Sequence, residues 1–233
     1  MANQYGANSI VSDKLVLCID AIDKHSNPGS GTTVNDIGSG ASHTDFANIT
    51  LDSNPYFFLN GGYIRWTDIG PKLAGAQEGT MSCWWYQVGG TGNDAILNAG
   101  DFSTNWNVDK MNLMWNNSTD KLSVYVNSTD TTAVITGDFG NALSVNTLYN
   151  IVWSSTGHLY VNGSLHADLS NTWWFGDVNG FDYFMFGAVA LNGSIYGDQR
   201  AVGRLYNLMI HNKALSASEV EHNYNVQRKR FGV

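Results

Sequence analysis

Enzymatic chemistry needs particular side chains at particular spacings, and carboxylates are the first to test here. Glycoside hydrolysis works through a positioned pair of them flanking the scissile bond. The chain holds three glutamates: Glu78 ahead of a strand, and Glu219 and Glu221 in a terminal helix. No Glu-x-Asp-x-x-Glu run exists, and the remaining pair to weigh, Asp101 and Asp109, sits in turn-like sequence. The 6 His are scattered without zinc-ligand spacing. There is no His-Glu-x-x-His, no Cys-x-x-Cys, no glycine-rich phosphate loop and no nucleophile elbow. No catalytic residue is assigned, and a non-enzymatic protein is expected.

The aromatic residues point instead to binding. Trp173, Trp174 and Phe175 are followed closely by Phe181, Tyr183, Phe184 and Phe186, and Trp84 and Trp85 are adjacent. Neighbours on a strand face opposite ways, so one ring of each tryptophan pair points away from the layer that buries the other. Exposed aromatics beside Asn and Asp suit stacking on sugar rings or the centre of a protein interface. A sandwich aromatic in both layers is the alternative. The expectation is that the segment from Trp173 to Phe186 forms a contact surface.

Those side chains must be positioned by strands. Leu15–Ile19 is an apolar run fit for a doubly buried strand, and Thr80–Val88 is a long one. Phe57–Leu59, Asn60-Gly61-Gly62 and Tyr63–Trp66 read as a hairpin, as do His158–Val161, Asn162-Gly163 and Ser164–His166. Further strands are expected at Ala95–Leu97, Met111–Trp115, Leu122–Val126, Tyr149–Ser154, Phe181–Phe186 and Val202–Ile210. Ser216 and Glu219 then open a helix over about 217–228 as a capping box. With no βαβ alternation, repeat or linker, residues 1–233 read as one all-β domain, a β-sandwich or jelly roll with its core in 14–215 and a short C-terminal helix.

Composition narrows the partners. A net charge of −8 argues against nucleic acid, whose phosphates need a basic face. Arg228-Lys229-Arg230, the one basic run, suits the negative end of the terminal helix. No apolar run reaches the roughly 20 residues of a membrane span, so no membrane insertion is expected. Met1–Gly6 lacks the basic and apolar regions of a signal peptide. Cys18 and Cys83 sit in strand-like apolar segments and are expected as free thiols.

Four segments resemble laminin G-like domains of the concanavalin A-like lectin/glucanase superfamily, in the order that family presents them. They are Leu15–Ala21 with Pro28–Thr33, Thr80–Trp84 with Trp84 at the family tryptophan position, Leu159-Tyr160-Val161-Asn162-Gly163, and Val202–Glu219 with its Leu-Ser-x-x-Glu helix start. The resemblance implies a jelly-roll sandwich of two antiparallel sheets. Leu15–Ala21 and Tyr224–Val233 further resemble stand-alone members found as phage virion proteins. That implies a non-enzymatic structural protein on the virion surface, a capsid decoration or appendage. Its partners would be the major capsid protein or tail components and other copies of itself. A carbohydrate-binding adhesin or tail receptor-binding module, recognising a cell-surface glycan, is the rival expectation, and a glycoside hydrolase the third. Because many relatives hold Ca2+ through loop oxygens, Asp20 and Asp23 after the first strand and Asp177 and Asp182 around Val178-Asn179-Gly180 are the metal candidates. The competing role for each is capping a turn.

Overall fold

The computed structural model describes residues 9–31, 33–38, 45–51, 53–105, 108–127 and 133–233. The stretch Met1–Gly6 read for a leader, and Ser39–Gly40 of the first polar loop, lie outside them. In chain order the elements are β1 (Leu15–Asp20), β2 (Asp45–Thr50), β3 (Phe57–Trp66), the short helix α1 (Gly70–Leu73), β4 (Thr80–Gln87), β5 (Asn93–Gly100), β6 (Lys110–Asn116) and β7 (Lys121–Asn127). There follow β8 (Ala133–Phe139), β9 (Leu148–Ser154), β10 (His158–Val161), β11 (Ser164–Asp168), β12 (Tyr183–Phe186), β13 (Val189–Leu191), β14 (Ser194–Tyr196), β15 (Val202–His211) and the helix α2 (Ala217–Phe231).

Pairing follows the order β11-β10-β9-β4-β15-β3-β12-β5-β6-β7-β8, with β1 also on β15 and β2 also on β3. The ladder folds over one core as a nearly closed sandwich, the all-β jelly-roll class expected. Its two antiparallel layers are joined through β3. The first half of β3 pairs with β15 and the second half with β12, while β2 runs along both.

That continuity corrects the hairpin expected around Asn60-Gly61-Gly62. Phe57 and Leu59 face the core at odd positions, Ile64 and Trp66 at even ones, and between them Asn60-Gly61-Gly62 lie across from Asn48 alone, a bulge in a strand that otherwise continues. Gly61, at φ +65°, takes the left-handed conformation that such a bulge requires. The chain bends without reversing because β2 stays paired on both sides, bulging itself at Asn48. A Cβ on Gly62 would lie 2.3 Å from the Asn48 carbonyl oxygen, so the crossing demands glycine. The second hairpin forms as expected. Asn162 and Gly163 both take positive φ (51° and 78°), the requirement of a two-residue type I′ turn.

The core is built on tryptophan. Trp66, Trp85, Trp115, Trp153 and Trp174 are at most 1% exposed, so all five lie between the layers. Outside the layers, α2 and the strand-like arm around Val11 cover a second apolar cluster of Val152, Tyr160, Leu215 and Val220. Cys18 and Cys83 are free and buried, as expected. They sit on strands either side of β15, opposite Met209 and Leu208. Burial pushes the Cys18 thiol up to about 12 and the Cys83 thiol up as well, so neither is a nucleophile at neutral pH.

α2 begins where the sequence places it and runs three residues further than 228. The Ser216 hydroxyl accepts from the Glu219 amide, and the Glu219 carboxylate accepts from the Ser216 amide at 2.9 Å, a complete capping box. Gly232, left-handed at φ 77°, closes the helix after Arg228, Lys229 and Arg230 in its last turn. Replacing Ser216 by alanine is expected to cost about 1 kcal/mol. Thermal unfolding checks this, and an unchanged midpoint would remove the cap from the account.

Candidate functional site

The aromatic-surface expectation is corrected by burial. Trp84, Trp85, Trp174 and Phe175 are each at most 1% exposed, as are Tyr183, Phe184 and Phe186. Trp174 meets Trp153 edge-on at 5.7 Å and packs on Phe175 at 4.6 Å, inside the main core. Trp173 alone of the site residues is half-exposed, and it too leans on that core. The pair Trp84–Trp85 does split between two faces, but the partner on the outer face is the chain's own helix. Trp84 stacks on Tyr224 at 5.6 Å and donates from Nε1 to Gln227 Oε1 at 2.8 Å.

The four candidate calcium ligands serve four different local tasks. Asp20 is ion-paired to Arg230. Asp23 accepts from the His25 amide at 2.8 Å. Asp177 accepts from the Trp174 amide at 2.9 Å, and Asp182 from the Phe102 amide at 2.9 Å. Among the described residues no group of three or more His, Cys, Asp or Glu is placed to hold a metal ion. A calcium ion needs 6–8 oxygens, and carboxylates already spent on a guanidinium or a backbone amide do not supply them. The residues do not fit the ion.

Asp101 and Asp109, the pair weighed for catalysis, stand beside the buried Lys110. Burial lowers the Lys110 ammonium to about 8 and raises the Asp109 carboxyl. Asp101 accepts from the Ser103 amide at 2.8 Å, the work of a turn residue.

Recognition chemistry collects elsewhere, in a cleft of about 780 Å³ at the bulge of β3. One wall comes from Asn48 and Asn60 at the β2–β3 crossing, another from the Gly90–Gly92 loop between β4 and β5, and the third from Asp198 and Arg200 ahead of β15. Asp94 lies at its base, 3% exposed. Gln87 donates to the Asp94 carboxylate at 2.5 Å and to Asn117 Oδ1 at 3.1 Å, and accepts from Trp85 Nε1 at 2.8 Å. Burial raises the Asp94 carboxyl, and the Gln87 and Asn117 contacts oppose that shift. A Cβ on Gly90 would come within 2.5 Å of the Asp94 carboxylate, so the loop closes over it only as glycine. At the rim, Tyr196 donates to Asp198 at 3.1 Å and Arg200 lies 5.9 Å from the Tyr63 ring centroid.

This is a preformed polar cleft: amides and a carboxylate, a guanidinium on its rim, tyrosines nearby, and a floor fixed to the core by Trp85. Its residues come from four segments, and none was singled out from sequence. The signal was present in Gly89-Gly90-Thr91-Gly92 ahead of Asp94, where Gly89 and Gly92 take positive φ and Gly90 is closely approached by the Asp94 carboxylate.

A nearly closed β-sandwich with a loop-built cleft at its edge defines a lectin-type jelly roll. The chain belongs to the concanavalin A-like lectin/glucanases superfamily, whose laminin G model matches residues 58–221. No curated protein matches it. Among solved structures it is similar to a mutant Trypanosoma rangeli sialidase displaying trans-sialidase activity, at 14% identity and TM-score 0.69, over 97% of this chain and 35% of that one. It is also similar to a mutant NanB sialidase from Streptococcus pneumoniae, at 17% identity and TM-score 0.59, over 71% and 27%. The Ruminococcus gnavus IT-sialidase CBM40 bound to α2,3-sialyllactose is similar at 18% identity and TM-score 0.53, over 62% and 80%. The chain thus spans about a third of the sialidase chains, and these likenesses concern the fold.

Proposed function

We propose that this chain is a non-enzymatic, lectin-like domain that binds carbohydrate in the cleft between Asn48, Asn60, Gly90, Asp198 and Arg200. The observation that carries the reading is the cleft's donor and acceptor set on a floor fixed by the Trp85–Gln87–Asp94 chain of hydrogen bonds. Sugar hydroxyls both donate and accept, and a preorganised array of amides, carboxylate and guanidinium meets them at low entropic cost. A non-enzymatic role is supported by the carboxylates. None of the three glutamates lines the cleft, and its two carboxylates are engaged, Asp94 by Gln87 and Asp198 by Tyr196.

Glycan-array screening followed by calorimetry tests this. Arg200→Ala and Asp198→Asn are each expected to weaken binding about tenfold or more, because the first removes a charged donor and the second leaves only a neutral acceptor in place of a carboxylate. Their melting temperatures should match the parent's. Absence of binding to any glycan at millimolar concentration would overturn the reading.

The virion surface is the setting proposed for this domain. The proposal rests on the sequence resemblance of Leu15–Ala21 and Tyr224–Val233 to phage virion proteins. Mass spectrometry of purified particles tests the setting. Hundreds of copies would mean capsid decoration, a handful would mean the tail, and none would exclude it.

A further inference from the structure

On the outer face of β15, next to the cleft, an arginine stands without an anionic partner among the described residues. Arg204 stands directly opposite Tyr86 on β4 and Phe58 on β3. Its guanidinium carbon lies 4.7 Å from the Tyr86 ring centroid and 4.8 Å from that of Tyr56, so two rings pack against it. Its side chain also hydrogen-bonds Tyr206, whose ring is 5.5 Å from Tyr56. Arg204, Tyr56, Tyr86, Tyr206 and Phe58 are all half-buried.

Among the described residues this charge has no carboxylate partner. Arg230 is paired with Asp20, and Lys213 with Asp13 and Glu219. Among the described residues no carboxylate pairs with Arg204, and its Nε is buried without a hydrogen-bond partner. This occurs in a chain of net charge −8, where a carboxylate neighbour would be easy to supply. A guanidinium packed against rings keeps its N–H groups in one plane, the geometry that grips a carboxylate at two points. Tyrosine rings at the same surface offer flat apolar area to a sugar.

The cleft and this cradle are neighbours along β15. Val202 lines the cleft, and Arg204 follows two residues later on the same face of β15, about 6.6 Å along the strand. We infer that Arg204, with Tyr56, Tyr86 and Tyr206, is a subsite for a carboxylate-bearing sugar in a chain that extends from the cleft. The inference rests on the carbohydrate-binding reading above and specifies its ligand class as acidic oligosaccharide.

The test uses the full chain with two acidic probes, oligogalacturonate and sialyllactose, each beside its neutral methyl ester, and a polyglutamate peptide as the protein-like anion. The parent is expected to bind the free acid of at least one sugar about tenfold more tightly than its ester, with the preference weakening in salt. Arg204→Met should bring the acid down to the ester's affinity and leave the ester's unchanged. Arg204→Lys, which keeps the charge but not the planar fork, should restore only part of the preference. Matching melting temperatures keep folding out of the comparison. Equal binding of acid and ester, or a preference that survives Arg204→Met, overturns the subsite. If neutral glycans still bind and depend on Arg200, the carbohydrate reading stands without it. Arg204-dependent capture of polyglutamate with no sugar bound would overturn both in favour of an acidic protein partner.

Discussion

Trp84→Ala is expected to destabilise the domain by about 3–5 kcal/mol and to unseat the C-terminal helix before the sandwich melts. The ring is fully buried on the outer face of β4, so the loss combines transfer of the indole with a cavity. It lies nearly parallel to Tyr224 (13° between planes) and 4.9 Å from Phe231, which makes it the main apolar seat of α2. Its Nε1 holds Gln227, which in turn donates to Asn207 Oδ1 at 3.3 Å on β15. Removing the indole therefore strands a buried amide as well as a packing surface. Trp84→Phe separates the two effects: most packing stays, and the orphaned Gln227 carbonyl costs about 1–3 kcal/mol. Hydrogen exchange over 217–231 is the decisive readout. In Trp84→Ala the helix should exchange by local opening while β4 and β9 stay protected. In Trp85→Ala, where the lost ring faces the core, helix and strands should lose protection together. Helix protection that is unchanged in Trp84→Ala would show that α2 is held elsewhere.

That contrast marks how far the sequence could be read. Alternation along Thr80–Gln87 separates Trp84 from Trp85 correctly, because the strand period is a local property of the chain. What covers the outer ring is not local. Gln227 is 143 positions away, and nothing near Trp84 distinguishes the chain's own helix from a partner. The capping box and the Asn162-Gly163 turn were legible for the same reason the period was: each is a short-range backbone requirement with a residue type that meets it. Asn60-Gly61-Gly62 has turn chemistry equally, yet β2 pairs across it and converts a reversal into a bulge. β2 and β8 themselves were missed, since Asp45–Thr50 and Ala133–Phe139 carry weak alternation and owe their form to their neighbours. β13 and β14, at three residues each, are too short to show a period. The Asp residues were visible as turn formers, and the structure gives Asp23 and Asp177 that role, while Asp182 accepts from the Phe102 amide 80 positions away. The cleft was invisible because four separate segments meet there only after folding.

Arg230→Ala should be the most pH-dependent of these changes. The Asp20 side chain is only 4% exposed, and Arg230 grips it at two points, Nη1 to Oδ2 at 2.5 Å and Nη2 to Oδ1 at 3.1 Å. Burial raises the Asp20 carboxyl above its ordinary value of 3.8, and Arg230 is the largest influence holding it down. Breaking a buried pair commonly costs about 3–5 kcal/mol. Here the arginine side chain is 42% exposed, and water screening reduces the expected loss to about 2 kcal/mol near neutral pH. The sign follows from the raised carboxyl. Such a group favours the folded state fully when protonated, below its unfolded pKa, and that contribution is lost as pH rises through the folded pKa. Without Arg230 the folded pKa climbs further, so the variant carries an unpaired buried charge at about pH 7 and much less of one at about pH 4. Urea unfolding at both pH values should show the deficit shrinking in acid. Asp20→Asn in the Arg230→Ala background should recover most of the neutral-pH loss, because an amide has no charge to desolvate. A deficit equal at both pH values, or no recovery in the double variant, would mean that Arg230 acts through packing on Phe231, 5.9 Å from its guanidinium, and not through the carboxylate it pairs with.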